Sequence, residues 1–534
     1  MHAFAAFLER LVLTPQRNVK LRLMVDYLGT VPDPDRGYAL AALTGDLSIP
    51  AVKPAMLRAL VTDRVDEVLF AYSYDYVGDL AETISLVWPE RPGANRPPSL
   101  GEAVERLMRA SRSDGPRLVE GMLDSLDASG RWALIKLVTG GLRIGVSARL
   151  AKQALADFGD KPINEIEEVW PGLTPPFEPL FGWLEGRTER PRSTIPAPFR
   201  PVMLSHPLGD EDLGAITPDQ YAAEWKWDGI RVQAVREGDV ARLYTRTGDD
   251  ISTTFPDVVD ALDFEGALDG ELLIGRRGEE GFATGSFSEL QQRLNRKTVS
   301  ARLMASHPAF LRVYDCLVAG GEDVRGMSFR DRRDRLERLV GHASPEHLDI
   351  SPLLAFSDGE ALKALRASPP EPVIEGVMLK RWDSVYEPGR PKGPWFKWKR
   401  DPHVADAVLM YAQRGHGRRS SFYSDYTFGV WRAGEGGDEL VPVGKAYFGF
   451  TDEELAEIDR FVRNNTVNRF GPVREVVHTA GQGLVLEVAF EGLQRSTRHK
   501  SGIAMRFPRV SRLRWDKPPA EADRLETLQA LIRD

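Results

Sequence analysis

The stretch AEWKWDGIRVQAV, residues 223–235, puts a lysine inside a short apolar strand and follows it at once with Asp-Gly. Side chains alternate between the two faces of a strand, so Glu224, Lys226 and Asp228 are predicted to share one face, opposite the two tryptophans. A lysine in such a setting is costly to desolvate and usually has a task. Gly229 lets the backbone turn sharply or approach a ligand closely.

Two interpretations of Lys226 are open from this stretch alone. The residue is either a nucleophile or a lysine on an edge strand, whose aliphatic stem covers apolar surface while its amine reaches water. The pattern KxDGxR, formed with Asp228, Gly229 and Arg231, does not separate the two, because four loosely spaced residues recur by chance. Motifs elsewhere in the chain are needed to separate these two interpretations of Lys226.

Length and composition describe an ordinary multidomain globular protein. At 534 residues the chain is too long for one hydrophobic core, and about two to four domains are expected. Its 42% hydrophobic and 28% charged residues argue against disorder. The single cysteine, Cys316, excludes an intrachain disulfide and any cysteine-based zinc module, which fits a reducing cytoplasm.

The N-terminal segment, the hydropathy and the net charge argue against a secreted protein, a membrane-spanning protein and a protein that coats nucleic acid by bulk charge. Phe4, Phe7, Leu8 and Leu11 are spaced as on an amphipathic helix rather than a signal peptide, and no uninterrupted apolar stretch approaches the roughly 18 residues of a membrane span. We therefore expect a cytoplasmic protein with no membrane partner. The net charge of -8 argues against coating nucleic acid by bulk charge, but it is compatible with local basic surfaces and a monomeric state.

The hydrophobic pattern divides the chain into three domains. Residues 1–185 have helical spacing, and the Pro- and Arg-rich residues 186–202 are typical of a linker. Residues 203–400 alternate short strands with a few helices, which predicts an α+β domain with antiparallel sheets. Residues 401–534 are β-rich, with one helix at 451–465 that begins with a predicted capping box.

One glycine-rich segment stands out in the helical region. In TGGLRIGVSARLAKQALA, residues 139–156, glycines surround Arg143, and Ser147 can cap the following helix. A helix N-terminus with free backbone N–H groups suits a phosphate. Glycine-relieved tight packing between helices is the alternative interpretation.

Six further patches follow Lys226 in the chain. They are LYTRTGDD (243–250), LDGELLIG (268–275), VYDCLV (313–318), EGVMLKR (375–381), WFKWKR (395–400) and AMRFPRVSRLRWDK (504–517). LDGELLIG is expected to put Glu271 at the end of a strand. Any one patch is weak evidence, but seven in a fixed order are strong evidence for one catalytic site.

This ordered set resembles the ATP-dependent DNA ligases, within the covalent nucleotidyltransferases, over nearly the whole chain. The LRIG segment resembles the extra N-terminal DNA-binding domain of the larger ligases. The resemblance implies an all-α DNA-binding domain, an α+β antiparallel nucleotidyltransferase (ATP-grasp-like) core and a C-terminal β-barrel OB-fold. It also implies that the enzyme seals nicks with a 5′-phosphate and a 3′-hydroxyl in duplex DNA, through lysyl-AMP and DNA-adenylate, in replication, repair or recombination.

The same resemblance implies residue roles. Lys226 is the implied catalytic nucleophile. The implied ATP-binding residues are Glu224, Arg231, Arg246, Glu271, Tyr314, Lys380, Arg390, Lys397, Lys399, Arg506 and Lys517. The implied metal ligands are Glu271 and Glu375, and the implied DNA-binding residues are Gly141, Arg143, Gly145 and Arg246.

Elementary chemistry agrees with several of these roles. An amine must be neutral to attack phosphorus, and nearby positive charge such as Lys397 and Lys399 favours the neutral form. Carboxylates such as Glu271 and Glu375 are hard oxygen donors suited to Mg²⁺, which takes one or two of them beside phosphates and water. ATP is the expected cofactor with Mg²⁺, because the four-cysteine module that NAD-dependent ligases share cannot be made here.

Other classes of nucleotide-binding and nucleic-acid-binding protein are alternatives to a DNA ligase. No GxxxxGKS or GxxxxGKT loop is present, so ATP use rests on the lysine constellation. An RNA ligase or capping guanylyltransferase has the same core, but the helical first domain favours nicked duplex DNA as the partner. A catalytically dead nick-binding scaffold would have no need to keep Lys226, Glu375 and Lys397 together.

Overall fold

The structure is a computed structural model. It describes residues 1–77, 79–90, 96–140, 142–191, 195–209, 211–278, 281–294, 296, 298–341, 346–414, 422–434, 436–496 and 499–532. The chain forms two compact units, which are described separately. The first unit joins Met1–Arg64 to Ile84–Arg400, and the second joins Val65–Thr83 to Asp401–Asp534.

Helices make up the N-terminal region, as the hydrophobic spacing predicts. They are α1 (His2–Leu13), α2 (Arg17–Thr30), α3 (Asp35–Thr44), α4 (Pro54–Thr62), α5 (Glu67–Val77), α6 (Leu80–Val87), α7 (Leu100–Arg109), α8 (Gly115–Ser125), α9 (Ala128–Val138), α10 (Ala148–Gly159), α11 (Ile163–Val169) and α12 (Glu178–Leu184). The predicted apolar face of α1 is confirmed, since Phe4, Phe7, Leu8 and Leu11 are all buried. None of the helices in the described ranges has the length and hydropathy needed to cross a bilayer.

Two mainly antiparallel sheets form the middle of the chain. Their strands are β1 (His206–Pro207), β2 (Tyr221–Trp227), β3 (Ile230–Glu237), β4 (Val240–Thr245), β5 (Gly266–Gly278), β6 (Gly281–Thr284), β7 (Ala309–Ala319), β8 (Glu322–Asp323), β9 (Leu348–Ile350), β10 (Leu353–Leu354), β11 (Ile374–Arg381) and β12 (Trp395–Lys399). The first sheet has the order β1-β12-β11-β2-β10, and the second has the order β4-β3-β5-β7-β8, with β6 paired to β5 and β9 to β7.

Helices and separate apolar cores cover these sheets. The helices are α13 (Pro256–Asp260), α14 (Phe287–Leu294), α15 (Ala301–Ser306), α16 (Phe329–Val340) and α17 (Gly359–Ala367). One core gathers buried residues of the second sheet with α13, α14 and α16, and another gathers residues of the first sheet with α17. The second of these cores also contains Leu273 of β5, Phe282 of β6 and Phe310 of β7, so the two sheets pack against each other through it and the central strands of the second sheet are buried on both faces.

The Asp-Gly turn after β2 carries the chain from the first sheet to the second. A Cβ at Gly229 would lie 2.5 Å from the carbonyl oxygen of Leu272 on β5. Glycine is therefore required at this close approach of two backbones. The turn brings Lys226, at the end of β2, next to the start of β3 and the middle of β5.

The C-terminal unit is a strand-rich barrel of the OB-fold type. It contains β13 (His403–Arg414), β14 (Tyr423–Gly434), β15 (Gly437–Ala446), α18 (Asp452–Asn464), β16 (Thr466–Phe470), β17 (Val473–Val476), β18 (Val485–Phe490), β19 (Gly492–Arg495), β20 (Ile503–Arg506), β21 (Arg509–Arg514) and α19 (Leu525–Gln529). The long strand β13 pairs with β14, β17 and β18, and β18 pairs with β21. The predicted capping box is confirmed: Thr451 and Glu454 begin α18.

Candidate active site

Lys226 points into a cluster of charged side chains at the end of β2. Its amine donates a hydrogen bond to Glu375 Oε1, and 21% of its side chain is exposed. Lys399 Nζ lies 3.0 Å from the other oxygen of the same carboxylate. The strand register explains the cluster, since Gly376 lies opposite Lys226 on one side and Lys399 on the other. Glu375 thus links two lysines from separate strands.

A β-bulge aims Glu375 at the nucleophile. Ile374 and Gly376 of β11 pair with two adjacent residues of β2, Trp227 and Lys226, so Glu375 is one extra residue between them. Bulges re-aim side chains next to functional sites. Gly376 has φ +152°, and a Cβ there would lie 2.2 Å from the carbonyl oxygen of Trp398, so the bulge needs glycine.

Positive charge dominates this side of the site. Burial lowers the pKa of Lys397, and the nearby charges of Arg390, Lys226 and Lys399 lower it further. Burial alone would raise the pKa of Glu375, but the two lysines that it contacts outweigh burial and lower it. Four cations therefore gather around one ionised carboxylate, an arrangement suited to a polyphosphate.

The second sheet supplies an acidic wall. Arg231 Nε and Nη2 donate to the fully buried Asp269 at 3.0 and 2.5 Å, and the hydroxyl of Tyr386 donates to the same carboxylate at 2.7 Å. Glu271 lies opposite Arg231 in the register, and burial raises its pKa to about 8 despite Lys226 and Arg231. The expected position of Glu271 at a strand end is wrong: it lies in the interior of the long strand β5.

Glu224 and Lys380 form a pair that is buried in the protein interior. Lys380 Nζ lies 2.6 Å from Glu224 Oε2, and both side chains are at most 2% exposed. Arg333 donates to the other oxygen of Glu224 at 3.0 Å. The Lys380 amine also lies 4.4 Å from the ring centroid of Tyr314, which is half-buried. These two predicted ATP-binding residues therefore form a buried ion pair with each other.

The remaining predicted residues are distributed over other surfaces. Arg246 is exposed in the tight turn after β4, and Arg143 is exposed just before α10. Gly145 has φ +67°, a conformation that favours glycine. Gly141 lies outside the described residues.

Gly145 borders an open cavity of 620 Å³ between the starts of α2 and α10, which Arg17, Lys20 and Arg149 also line. Lys20 Nζ donates to the carbonyls of Ile144 and Gly145 at 2.7 and 3.0 Å. The predicted Ser147 cap is confirmed, because the hydroxyl accepts the Leu150 N–H at the start of α10. The glycine segment is thus held in place with basic residues around it.

Arg506 and Lys517 belong to the barrel unit, and their surroundings are described within it. The guanidinium of Arg506 lies 5.8 Å from the ring of the exposed Phe507. Lys517 Nζ lies 2.7 Å from Asp406 Oδ2, at the other end of the unit's sequence.

Sequence reasoning missed Asp269, Tyr386, Arg333 and Asp406. Strand alternation in LDGE could have found Asp269, because it shares a face with Glu271. The other three stand in stretches with no recognisable spacing to Lys226. Only their contacts in the folded chain reveal them.

Comparisons with known proteins agree with this geometry. Residues 203–399 match the family model described as ATP dependent DNA ligase domain, and residues 419–517 match the ATP dependent DNA ligase C terminal region. A probable DNA ligase of Koribacter versatilis is 30% identical, over 100% of this chain and 96% of its own length. A DNA ligase of Thermococcus fumicolans is 27% identical, over 99% and 97%.

The fold has a counterpart among solved structures. The structure described as Pmar-Lig_PreS3 aligns with a TM-score of 0.60 and 16% identity, covering 96% of this chain and 99% of that one. At this identity the likeness concerns the fold alone.

A helical region, a nucleotidyltransferase core and a barrel, with a lysine beside a cluster of basic side chains, define the class of nucleic-acid ligases. The chain belongs to the ATP-dependent DNA ligase family and is an enzyme of that family. Membership decides against the RNA ligase, capping and scaffold alternatives.

Proposed function

We propose that Lys226 is the nucleophile of a three-step nick-sealing reaction. The observation that carries the proposal is the position of its amine, hydrogen-bonded to Glu375 beside the cationic cluster of Lys397, Lys399 and Arg390. In the first step the amine gives up a proton and attacks the α-phosphorus of ATP. An N–P bond forms, the bond from that phosphorus to the bridging oxygen breaks, and pyrophosphate leaves.

The cationic cluster has a defined part in this step. A triphosphate brings several negative charges next to Lys226, and donors from Lys397, Lys399 and Arg390 match them. Glu375 fixes the direction of the Lys226 amine through its hydrogen bond. The site is thus proposed both to bind the phosphates and to direct the amine.

The nucleoside is proposed to bind between the two sheets. Tyr314 of β7 offers a half-buried aromatic face for the adenine, and Glu224 of β2, which Lys380 and Arg333 hold, lies two residues before Lys226 on the same strand face. Arg231 and Glu271 are proposed to contact the sugar and phosphate, where the buried Asp269 holds the guanidinium of Arg231.

Glu271 and Glu375 fit a magnesium ion by their chemistry. No group of three or more His, Cys, Asp or Glu in the described residues is arranged for a metal, but Mg²⁺ usually takes only one or two carboxylates with phosphates and water. When bound, the ion would offset phosphate charge. Glu271 and Glu375 would hold it.

DNA enters in the second and third steps. AMP passes to the 5′-phosphate of the nick, and the 3′-hydroxyl then attacks that phosphorus and releases AMP. Arg246, exposed in the turn after β4, is proposed to bind the nick phosphate. Arg143 and the basic residues around Gly145 are proposed to bind backbone phosphates of the duplex, with the N-terminus of the twelve-residue helix α10 beside them.

Two basic residues of the barrel unit are also proposed to act in the first step. Arg506 and Lys517 are proposed to contact the β and γ phosphates of ATP during the first step, because guanidinium and ammonium groups bind phosphate oxygens. The enzyme is proposed to act as a monomer in the cytoplasm, in replication, repair or recombination.

Labelling with α-labelled ATP and Mg²⁺ tests the nucleophile. Wild type is expected to carry the label after denaturing electrophoresis, and Lys226→Ala is expected to carry none. Lys392→Ala, an exposed lysine of the same domain, serves as the matched control and should be labelled normally. Label on Lys226→Ala, or its absence from wild type, would remove lysyl-AMP at this residue from the mechanism.

A further inference from the structure

Residues 386–390 form a short segment with contacts to the candidate active site at both of its ends, and we call it the bridging segment. At its start, the hydroxyl of Tyr386 donates to Asp269 Oδ2 at 2.7 Å and accepts Arg231 Nη2 at 3.2 Å. At its other end, Arg390 is part of the cationic cluster of the active site. The bridging segment therefore helps to place two arginines that are proposed to contact ATP.

The middle of the bridging segment touches an arginine of the helical region. Gly389 has φ +93°, in the left-handed region that favours glycine. A Cβ atom at this position would lie 3.0 Å from Cζ of Arg149, a residue of α10. Arg149 Nη1 donates to Glu167 of α11 at 2.7 Å, and the Glu167 side chain is only 8% exposed. The guanidinium is therefore held against the backbone of Gly389.

A second contact lies one residue further along α11. Glu168 accepts Arg325 Nη2 at 3.0 Å, and the backbone carbonyl of Arg325 accepts the N–H of Tyr386 at 2.8 Å. Because Glu168 directly follows Glu167 in the chain, one turn of α11 is connected with both the start and the middle of the bridging segment. All of these residues lie in the first compact unit.

The ion pair of Arg149 contributes little to stability by itself. Its side chain is 47% exposed, and ion pairs at the protein surface contribute under about 1 kcal/mol. The same side chain borders the cavity beside Gly145. The contact with Gly389 provides position instead, because a segment that is held from the helical side leaves fewer conformations open to the arginines that it places.

We propose that Arg149 is a positioning residue for the first step of the reaction. Through the bridging segment it holds Arg390, and Tyr386 with its contact to Arg231, in the places where the two arginines meet the triphosphate. The inference rests on the proposed function in assigning Arg231 and Arg390 to ATP. The helical region then contributes to ATP binding before any DNA is present, and it does so without touching the nucleotide.

The test measures the affinity of the full-length enzyme for an ATP analogue that has a methylene group between the α and β phosphorus atoms. Binding of this analogue forms no N–P bond, so the measurement does not depend on the nucleophile. In Arg149→Ala the dissociation constant is expected to rise by about threefold to tenfold, as for other residues that act through packed neighbours. The thermal unfolding temperature should stay at the wild-type value, because the side chain is half exposed.

Three further variants define the contact. Arg149→Lys keeps the positive charge beside the cavity but loses the planar guanidinium, so it should bind the analogue as weakly as Arg149→Ala. Glu168→Gln should weaken binding of the analogue through the second contact of α11. Arg117→Ala is the matched control: it removes an exposed arginine that pairs with Asp114 in the same helical region, and it should bind the analogue as wild type does.

Self-adenylation provides a second measurement and separates this proposal from the proposed function. In Arg149→Ala the ATP concentration at half-maximal rate should rise by the same factor as the dissociation constant, while the maximal rate changes less. A wild type that binds the analogue but takes no label from α-labelled ATP would contradict the proposed function. The positioning role of Arg149 would still be judged by the affinities for the analogue.

Three results would overturn the positioning role. The first is an affinity for the analogue that is the same in wild type, Arg149→Ala and Glu168→Gln. The second is a full return of affinity in Arg149→Lys, which would leave no part for the guanidinium at Gly389. The third is a loss of affinity in Arg149→Ala that is accompanied by a lower unfolding temperature than that of Arg117→Ala, which would assign the loss to folding.

Discussion

Lys517 Nζ lies 2.7 Å from Asp406 Oδ2, so the end of the basic segment 504–517 is tied to the first strand of the barrel. Arg514 Nη1 reaches the same carboxylate oxygen at 3.1 Å. The backbone N–H of Asp406 donates to Asp523 Oδ2 at 2.9 Å, and the Asp523 N–H donates back to the Asp406 carbonyl at 2.8 Å. Asp406 therefore holds the C-terminal basic segment both through its side chain and through its backbone.

Asp406→Asn is expected to slow self-adenylation by roughly tenfold, because a charge-assisted hydrogen bond of about 1.5 kcal/mol no longer positions Lys517. Sealing of a pre-adenylated nick should change far less. The effects of Asp406→Asn and Lys517→Ala should not add, since both disrupt one contact. Asp438→Asn, which breaks the Arg524 pair elsewhere on the barrel, is the control and should have neither effect. Equal losses of rate in self-adenylation and in sealing would mean that Asp406 stabilises the barrel and has no specific part in self-adenylation.

Lys517→Ala and Arg506→Ala should each impair self-adenylation much more than sealing of a pre-adenylated nick. The reason is that β and γ phosphates are present only in the first step. Single-turnover rates of the two reactions measure the difference. If self-adenylation and the sealing of a pre-adenylated nick slowed by the same factor, these residues would have no specific part in the first step.

Arg143→Ala is expected to weaken binding of a nicked duplex while lysyl-AMP forms at the normal rate. The exposed side chain contributes to DNA binding by charge, and one phosphate contact accounts for about one unit of the salt slope. Fluorescence anisotropy with labelled nicked DNA measures the affinity. Arg112→Ala, another exposed arginine of the helical region, is the control. Loss of adenylation as well would indicate misfolding.

Asp315→Asn should destabilise the middle domain by about 3–5 kcal/mol, because it breaks a buried ion pair and leaves a cation without its counter-charge. Arg332 Nε and Nη2 donate to Asp315 at 2.8 and 3.1 Å, and both side chains are fully buried. Urea unfolding followed by tryptophan fluorescence measures the loss. Asp383→Asn, at the exposed pair with Arg381, should cost under about 1 kcal/mol.

The thiol of Cys316 should not react with a thiol reagent at pH 8 while the chain is folded. Burial raises its pKa to about 12, so the reactive thiolate is scarce well above neutral pH. In guanidinium chloride one thiol per chain should react, because the side chain is then exposed. Reaction of the native chain at the rate of the unfolded one would contradict the buried position.

Local rules explain what could be predicted from the sequence. The apolar spacing of α1, the capping box of Thr451 and Glu454 and the Ser147 cap involve residues a few positions apart, whose contacts any helix would make. Alternation along β2 likewise put Glu224 and Lys226 on one face. Predictions of this kind needed no knowledge of which strands become neighbours.

The burial of a side chain and the direction in which it points could not be predicted in this way. Glu224 and Lys380 were predicted as ligand-binding residues, but the fold buries them as an ion pair. Glu375 faces Lys226 only because one extra residue enters β11. Burial and bulges depend on the neighbouring strands and helices, which linear spacing does not specify.

The sequence by itself determined the helical N-terminal region, the α+β middle and the strand-rich C-terminal part, because these follow from hydrophobic period. The role of Lys226 as nucleophile stays a prediction from its resemblance to the ligase motif. Only the tertiary structure decided which charges share a contact: Glu375 with two lysines, Arg333 with Glu224, Asp406 with Lys517, and Arg149 with Glu167. Partners of this kind come from distant parts of the chain. The physical reason is that strand register and packing bring them within hydrogen-bonding or van der Waals distance, and both are properties of the whole fold.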